Sequence, residues 1–358
     1  MAQIHERQFG TLPDGRAVRA FALRCGDVTL EVIAYGARVI GLTAPDRDGV
    51  CADIVLGRAD LAGYLGADYQ GACIGRFANR IGNALMPAGG AVYRLDRNDG
   101  AHNLHGGNEG FHQVLFEVES VRDGDAPAVC FSYVSPDGES YFPGTMRVEV
   151  TYSLLPPGDD EEAVTLRIDY RAICDEYCPF NPTNHAFFNL SGDAAHTVLD
   201  TMLEINAEYL TVVDTDLIPT GELADVGAVA GGAYDFRRCK AIGRDIMADD
   251  ALLVACGGYD QNYCLNGEGF RQVAMAYEPN TGRVLEVYTD LPGLQLYTFN
   301  RGDTVRPGKQ GEFYAPHSAF CLETQFWPDA PNHPGFPQCT LTPERPFTTR
   351  TEYRLGVG

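Results

Sequence analysis

The sequence predicts an all-β protein, a large single-domain β-sandwich spanning residues 1–358, and three observations carry that reading. The first is long period-2 alternation. Met146, Val148, Val150, Tyr152 and Leu154 alternate with Arg147, Glu149, Thr151 and Ser153, and then Val164, Leu166, Ile168 and Tyr170 alternate with Thr165, Arg167, Asp169 and Arg171. Successive side chains of a strand point to opposite faces, so these runs read as an antiparallel pair with one wet face, joined by the loop PPGDDEEA. The second is the scarcity of helical periodicity. The third is the supply of turn residues, with 40 Gly and 21 Pro along the chain.

In chain order, further strand-like runs fall at 28–33, 116–121, 129–134, 294–299 and 347–355, the last closing the chain on a strand. Two short segments, 59–64 and 240–249, read as helices. The βα alternation of a nucleotide fold is missing, and no linker, low-complexity tract or internal repeat divides the chain. These features point to one sandwich-type domain.

Composition narrows the function classes. A formal charge of −22 makes nucleic acid, anionic membranes and polyphosphates poor partners, so a neutral substrate fits better. Lys240 and Lys309 are the only lysines, both in turn-like or surface-like contexts, which leaves Schiff-base chemistry short of candidates. Eleven cysteines without a CxxC pair read as reduced residues of a cytoplasmic protein, and Cys174 and Cys178, a CxxxC without a second ligand pair, do not make a metal site. The first residues, MAQIHERQFG, lack the apolar core of a signal peptide, and no apolar run reaches the ~20 residues of a membrane span.

Six polar constellations interrupt the alternation. GACIGRFANRIGNA at 71–84 crowds Arg76, Asn79, Arg80 and Asn83 among glycines, a fork of donors for hydroxyl oxygens or a turn whose arginines cap carbonyls. NLHGGNEGFH at 103–112 gives His105 room for a ligand, while His102 and His112 nearby lack zinc-motif spacing. NPTNHAFFNLSG at 181–192, read as a strand, puts His185, Phe187 and Asn189 on one face and Ala186, Phe188 and Leu190 on the other. DTDLIPTGE at 214–222 is an acidic turn without the oxygens of a calcium loop, and GGYDQNYCL at 257–265 sets Asp260 between Tyr259 and Tyr263. Finally, PHSAFCLETQFWPDAPNHPGFP at 316–337 starts as a strand carrying Cys321, Glu323 and Gln325 on one side. It then leaves the sheet as a proline-stiffened lip bearing the only tryptophan, Trp327. Glu323 is thus expected near a strand end, partly desolvated and a stronger base for it.

In this order, GRFANRIG, NLHGG, NHAFFNLSG, DLIPTGE, YDQNY and ETQFWPDAPNHPGFP closely resemble the aldose 1-epimerase (galactose mutarotase) family, and the likeness runs from about residue 10 to the last strand. The resemblance implies a supersandwich fold and acid/base catalysis without cofactor or metal. It implies Glu323 as base and His185 as acid, with Asn79, Arg80, His105 and Asp260 contacting a monosaccharide. Phe187 stands where the family usually has tyrosine, and Gln261 where histidine is common.

Such chemistry needs one group to take the anomeric hydroxyl proton and another to protonate the ring oxygen, so that the ring opens, rotates and recloses. The residues read as a carboxylate and a protonated imidazole on opposite sides of the sugar ring, with Phe187 or Trp327 covering an apolar sugar face. Three other readings stand beside it: a hexose-6-phosphate mutarotase, a non-catalytic sugar-binding module, and a glycosidase. The glycosidase lacks a second carboxylate candidate.

Overall fold

The computed structural model describes residues 3–66, 68–158 and 163–358. The predicted pair forms as strands Met146–Leu155 and Val164–Cys174, in antiparallel register from Met146 opposite Cys174 to Leu155 opposite Thr165. Of the loop between them, positions 159–162 lie outside the described residues. The even members of the first strand are buried and most odd members half-buried, which is the expected wet and dry face.

These strands belong to a nine-stranded sheet. It runs from Glu117–Arg122 through Ala128–Ser135, the pair itself, Phe347–Val357, Arg283–Thr289, Arg271–Tyr277 and Met202–Ile205 to Lys240–Ala241. The last long strand of the chain therefore lies near the middle, hydrogen-bonded to Val164–Cys174 on one side and Arg283–Thr289 on the other. A five-stranded antiparallel meander from Ile4–Thr11 to Cys51–Asp53 holds the predicted run Val28–Ile33. A second five-stranded sheet has the order Pro219–Asp225, Ala207–Val213, Asp260–Leu265, Gly293–Tyr297, Cys321–Gln325.

Both smaller sheets pack on the nine-stranded one, and that makes the sandwich. Phe21 meets Phe131 with ring centres 5.9 Å apart, and the Tyr152 hydroxyl donates to Ala37 O at 2.5 Å. On the other flank the Tyr353 hydroxyl donates to Leu322 O at 2.9 Å, and Thr324 and Thr351 share a hydroxyl hydrogen bond at 2.6 Å. Buried polar bonds of this kind register one sheet against the other, because slippage would strand their donors in an apolar layer.

Two helical expectations fare differently. The segment at 59–64 holds one turn, Leu61–Tyr64, capped by Asp60, whose carboxylate accepts from Gly63 N. The segment at 240–249 is not an α-helix: it holds strand Lys240–Ala241 and a short 3-10 turn, Ile242–Arg244. Tertiary bonds override the local pattern there. Lys240 pairs with Leu203 as the sheet edge and is buried, not surface-like, with its ammonium donating to Ala233 O at 2.6 Å and Asp245 Oδ2 at 2.8 Å. The helix starts later, at Ala251–Cys256, where Asp250 Oδ1 caps two backbone N–H groups and Gly257 ends it at φ 72°.

Of the two arginines in GRFANR, Arg76 is the carbonyl-capping one. Its buried guanidinium donates to Ser135 O, Pro136 O, Pro143 O, Gly144 O and Ser135 Oγ. Arg76→Met would leave these acceptors without partners at roughly 1–3 kcal/mol for each one that water cannot reach. We expect a loss of at least about 3 kcal/mol, read as a lower urea midpoint with an unchanged m-value.

Candidate active site

A cleft of about 580 Å³ opens at one end of the second five-stranded sheet, and all six sequence-predicted residues line it: Asn79, Arg80, His105, His185, Asp260 and Glu323. They come from five separate segments of the chain. The strands Asp260–Leu265, Gly293–Tyr297 and Cys321–Gln325 supply the floor, and loops supply the rest.

Glu323 is the central residue of Cys321–Gln325, opposite Gln295 in register, and only 2 % exposed. It thus lies within the strand instead of near its end, hydrogen-bonded into the sheet. Among the described residues its Oε2 has no hydrogen-bond partner. Burial pushes its carboxyl well above the usual range, the Asp260 charge adds to that, and Arg80 opposes it.

His185 follows the short strand Thr183–Asn184 and is tied by its own backbone, N–H to Ala72 O at 2.9 Å and carbonyl to Gly71 N at 2.7 Å. Its ring lies parallel to Phe187 at 4.9 Å and to Tyr69 at 6.1 Å, with His105 edge-on at 5.2 Å. Its Nε2 is 3.5 Å from Glu323 Oε1, and its Nδ1 is 3.6 Å from Cys321 Sγ. Two expectations need correction here. The carboxyl and imidazole are neighbours in direct contact, not groups on opposite sides of a sugar. Nor does nearby negative charge hold His185 protonated: burial outweighs the pull of Asp68 and lowers it to about 4. Burial thus works against both charges, and a carboxyl beside a neutral imidazole has the same proton count as a carboxylate beside an imidazolium.

Asn189 leaves the face that alternation assigned to it. Phe188 bridges Val55 and Phe320, the chain then turns, and the Asn189 amide donates to the carbonyls of Asp193, His196 and Ser318 away from the cleft. Trp327 also does not line the cleft, since its indole N–H donates to Pro292 O at 2.9 Å and its ring packs on Phe336. The proline loop works as a brace instead of a lip. Asp329 accepts from Gly82 N at 2.9 Å and donates its own N–H to Arg80 O at 2.9 Å, holding the segment that carries Asn79 and Arg80.

Asn79 and His105 are locked together. Each adopts a left-handed backbone, φ 64° and 52°; His105 N donates to Asn79 O at 3.0 Å, and Asn79 N donates to His105 Nδ1 at 3.1 Å. The glycine after His105 is obligatory, because a Cβ at Gly106 would lie 1.9 Å from Gly75 O. Because Nδ1 accepts, the proton of the neutral ring sits on Nε2, which makes His105 a donor to a ligand. Burial holds that ring well below the usual histidine range.

Arg80 gives its Nε–H to Asp99 at 2.8 Å, which leaves its outer nitrogens for the cleft. Asp260 accepts from Gln295 Nε2 at 2.7 Å, and burial raises its carboxyl. Gln295 and Tyr69 are cleft residues that motif reading passed over. Gln295 leaves a trace in the sequence, an amide between two leucines in a strand, whereas ADYQG marks Tyr69 in no way.

His105, His185 and Glu323 place three ligand atoms within 4.8 Å of one another, a grouping that metal ions use. The donor set does not fit. His105 offers the cleft an N–H, and a metal needs a lone pair. Of the other two histidines raised by the sequence, His112 is packed in the core beside Gln113 and His102 stands at the mouth near Asp216, so they form no cluster.

The fold and the site define a β-sandwich protein with a carboxyl and an imidazole in contact within a polar cleft, and comparison with known proteins narrows that class. The aldose 1-epimerase family model matches residues 19–354. Galactose mutarotase of Homo sapiens is 40% identical over 360 aligned positions covering 100% of both chains, and aldose 1-epimerase of Escherichia coli is 36% identical over 350, covering 96% of each. A solved aldose epimerase homologue from C. elegans superposes with a TM-score of 0.83 at 29% identity, covering 94% of this chain and 98% of its own. Galactose 1-epimerase of Lactobacillus acidophilus superposes over 100% of both chains at 0.86 and 24% identity, which speaks to the fold alone. The chain belongs to the aldose 1-epimerase family.

In the ligand-free protein, we expect the His185 ring nitrogens to titrate at about 4 in ¹⁵N NMR, far below the ordinary histidine value. A His185 midpoint near 6.5 would contradict the desolvated cleft.

Proposed function

We propose that this protein is an aldose 1-epimerase, a mutarotase that interconverts the α and β anomers of a free aldohexose such as galactose or glucose. One observation carries the reading: His185 Nε2 and Glu323 Oε1 lie 3.5 Å apart at the base of the cleft. The two oxygens that must exchange protons in mutarotation, the anomeric hydroxyl and the ring oxygen, are bonded to the same carbon. An acid and a base that touch each other therefore suit this reaction better than a pair across the ring.

In the forward step Glu323 removes the hydroxyl proton while His185 gives one to the ring oxygen. The bond from the anomeric carbon to the ring oxygen breaks and leaves the open aldehyde. Rotation about the bond to the next carbon presents the other carbonyl face. His185 then takes the proton back from the chain hydroxyl, the ring closes, and Glu323 reprotonates the new anomeric oxygen. The active arrangement is carboxylate and imidazolium, reached from the neutral pair by moving the single proton, and the Arg80 charge and the sugar hydroxyl both favour the carboxylate. Each positioned proton transfer contributes on the order of 10²–10⁴ in rate, and orientation of the sugar adds to it.

Asn79, Arg80, His105 and Asp260 are assigned to the sugar hydroxyls, with Gln295 holding Asp260. Phe187, beneath His185 in the cleft wall, is assigned to an apolar sugar face. The whole chain acts as one unit in this reading, supported by a continuous core cluster running from Phe21 to Leu355. A cytoplasmic location is proposed on the eleven free cysteines. Among the described residues no helix is long and apolar enough to cross a membrane.

Polarimetry of fresh α-D-galactose or α-D-glucose tests the function. The protein should speed equilibration over buffer, and Glu323→Gln should lower kcat by at least roughly 10³ while the protein still folds. Sugar binding without acceleration would leave a binding module, and turnover of hexose 6-phosphates alone would favour the phosphate-sugar reading. A second proton entering the pair lands on His185, so activity is lost as pH falls through about 4. The shared proton leaves from a carboxyl raised by burial, so the alkaline limb lies well above the usual 4.5. An acid limb at pH 6–7 would refute this assignment.

A further inference from the structure

We propose that Cys321 is a positioning residue for the reaction, its sulfur holding the ring of His185 by accepting a hydrogen bond from Nδ1 and so keeping the lone pair of Nε2 towards Glu323. The inference rests on the mutarotase reading and deepens it.

The geometry follows from the pleat of one strand. Cys321 and Glu323 are residues i and i+2 of Cys321–Gln325, so they point to the same face, roughly 6.6 Å apart along the strand. An imidazole laid across that spacing can reach both with its two ring nitrogens. His185 does so: Nδ1 is 3.6 Å from Cys321 Sγ and Nε2 is 3.5 Å from Glu323 Oε1. Among the described residues no other group hydrogen-bonds to Nδ1. The stacking on Phe187 and Tyr69 fixes the plane of the ring but leaves rotation within that plane open, and the sulfur contact closes it.

A thiol suits this position for a chemical reason. Sulfur is a weak acceptor through its lone pairs. The Nδ1–H of the ring donates to it in both protonation states, so the neutral ring keeps the lone pair of Nε2 towards Glu323, where it can take the carboxyl proton, and the imidazolium then gives that proton to the ring oxygen. A carboxylate at Nδ1 would accept more strongly and pin the charged form, which a neutral thiol does not do. Cys321 is fully buried, and burial with the charges of Glu323 and Asp260 raises its thiol well above the usual value, so it stays protonated.

The charged and titratable groups around the ring are Cys321 and Glu323 from the strand, Asp68, Tyr69 and Arg38 behind it, and His105 and His112 beside it. Asp68 favours the imidazolium and Arg38 opposes it. None of these but Cys321 hydrogen-bonds to Nδ1, so altering Cys321 changes the hydrogen bond without changing the net charge.

The test compares Cys321→Ala and Cys321→Ser in the full chain, using ¹⁵N NMR of His185 together with kcat, KM and the pH profile. In the wild type Nδ1 should appear protonated and Nε2 unprotonated. Cys321→Ala should show mixed tautomers, a shifted acid limb and a kcat lowered roughly five- to tenfold with KM little changed, the weight of one modest hydrogen bond. Cys321→Ser, which keeps a donor and acceptor of similar size, should restore the tautomer and most of kcat. The proposal is overturned if Cys321→Ala keeps the wild-type tautomer and pH profile. It is overturned equally if both variants lose activity in proportion to a fall in Tm, which would mark a packing role. The tautomer readout needs no turnover, so an inactive wild type would defeat the functional reading while the NMR comparison still decides whether the thiol sets the ring.

Discussion

The energetic centre of this protein is a carboxylic acid and an imidazole kept out of water and set against each other. Away from water, neither charge forms readily on its own, and a proton that leaves one group finds the other 3.5 Å away. That constraint explains the surroundings. Glu323 must be held on a strand that cannot drift, and Tyr353 and Thr351 of the opposing sheet bond to its neighbours Leu322 and Thr324. The nearest other acid, Asp260, must be restrained, and Gln295 and Arg80 do that from two directions.

The loops that complete the cleft are rigid for reasons unrelated to their length. Asn79, His105, Leu217 and Asp329 all adopt positive φ, a conformation disfavoured for residues with a side chain, and they cluster around the cleft. Each is held by bonds that a relaxed backbone would lose. Asn79 and His105 clasp each other, Asp329 grips Gly82 and Arg80, and Asp214 accepts from the N–H groups of Asp216 and Ile218 on either side of Leu217. Buried arginines do the same work further out: Arg38 donates to the carbonyls of Asp68, Gln70 and His112, fixing the segments that bear Tyr69 and His105. Binding sites built this way lose little conformational entropy when a ligand arrives.

The chain's own letters separate what could be read from what could not. In GRFANR two arginines four positions apart in one glycine-flanked segment look alike, yet Arg76 ends in the core capping four carbonyls and Arg80 ends in the cleft. His185, Phe187 and Asn189 look like one strand face, and the first two share the cleft while Asn189 holds a turn. Lys240 reads as a surface lysine and is buried, because a sheet edge and two acceptors claim it. Trp327 reads as a sugar platform and instead braces the far side of a proline loop. In each case the local pattern names a residue capable of the role, and the packing of distant segments decides whether it takes it.

By itself the sequence determined the strands and their faces, because the two-residue pleat is a property of each short stretch, and it determined the candidate site residues through the order of the family-like motifs. Only the tertiary structure decided that the imidazole lies beside the carboxyl, with a thiol at its back, and that burial works against the charge on each. Those facts depend on distance and water exclusion between residues as much as 138 positions apart, and no local pattern encodes either quantity.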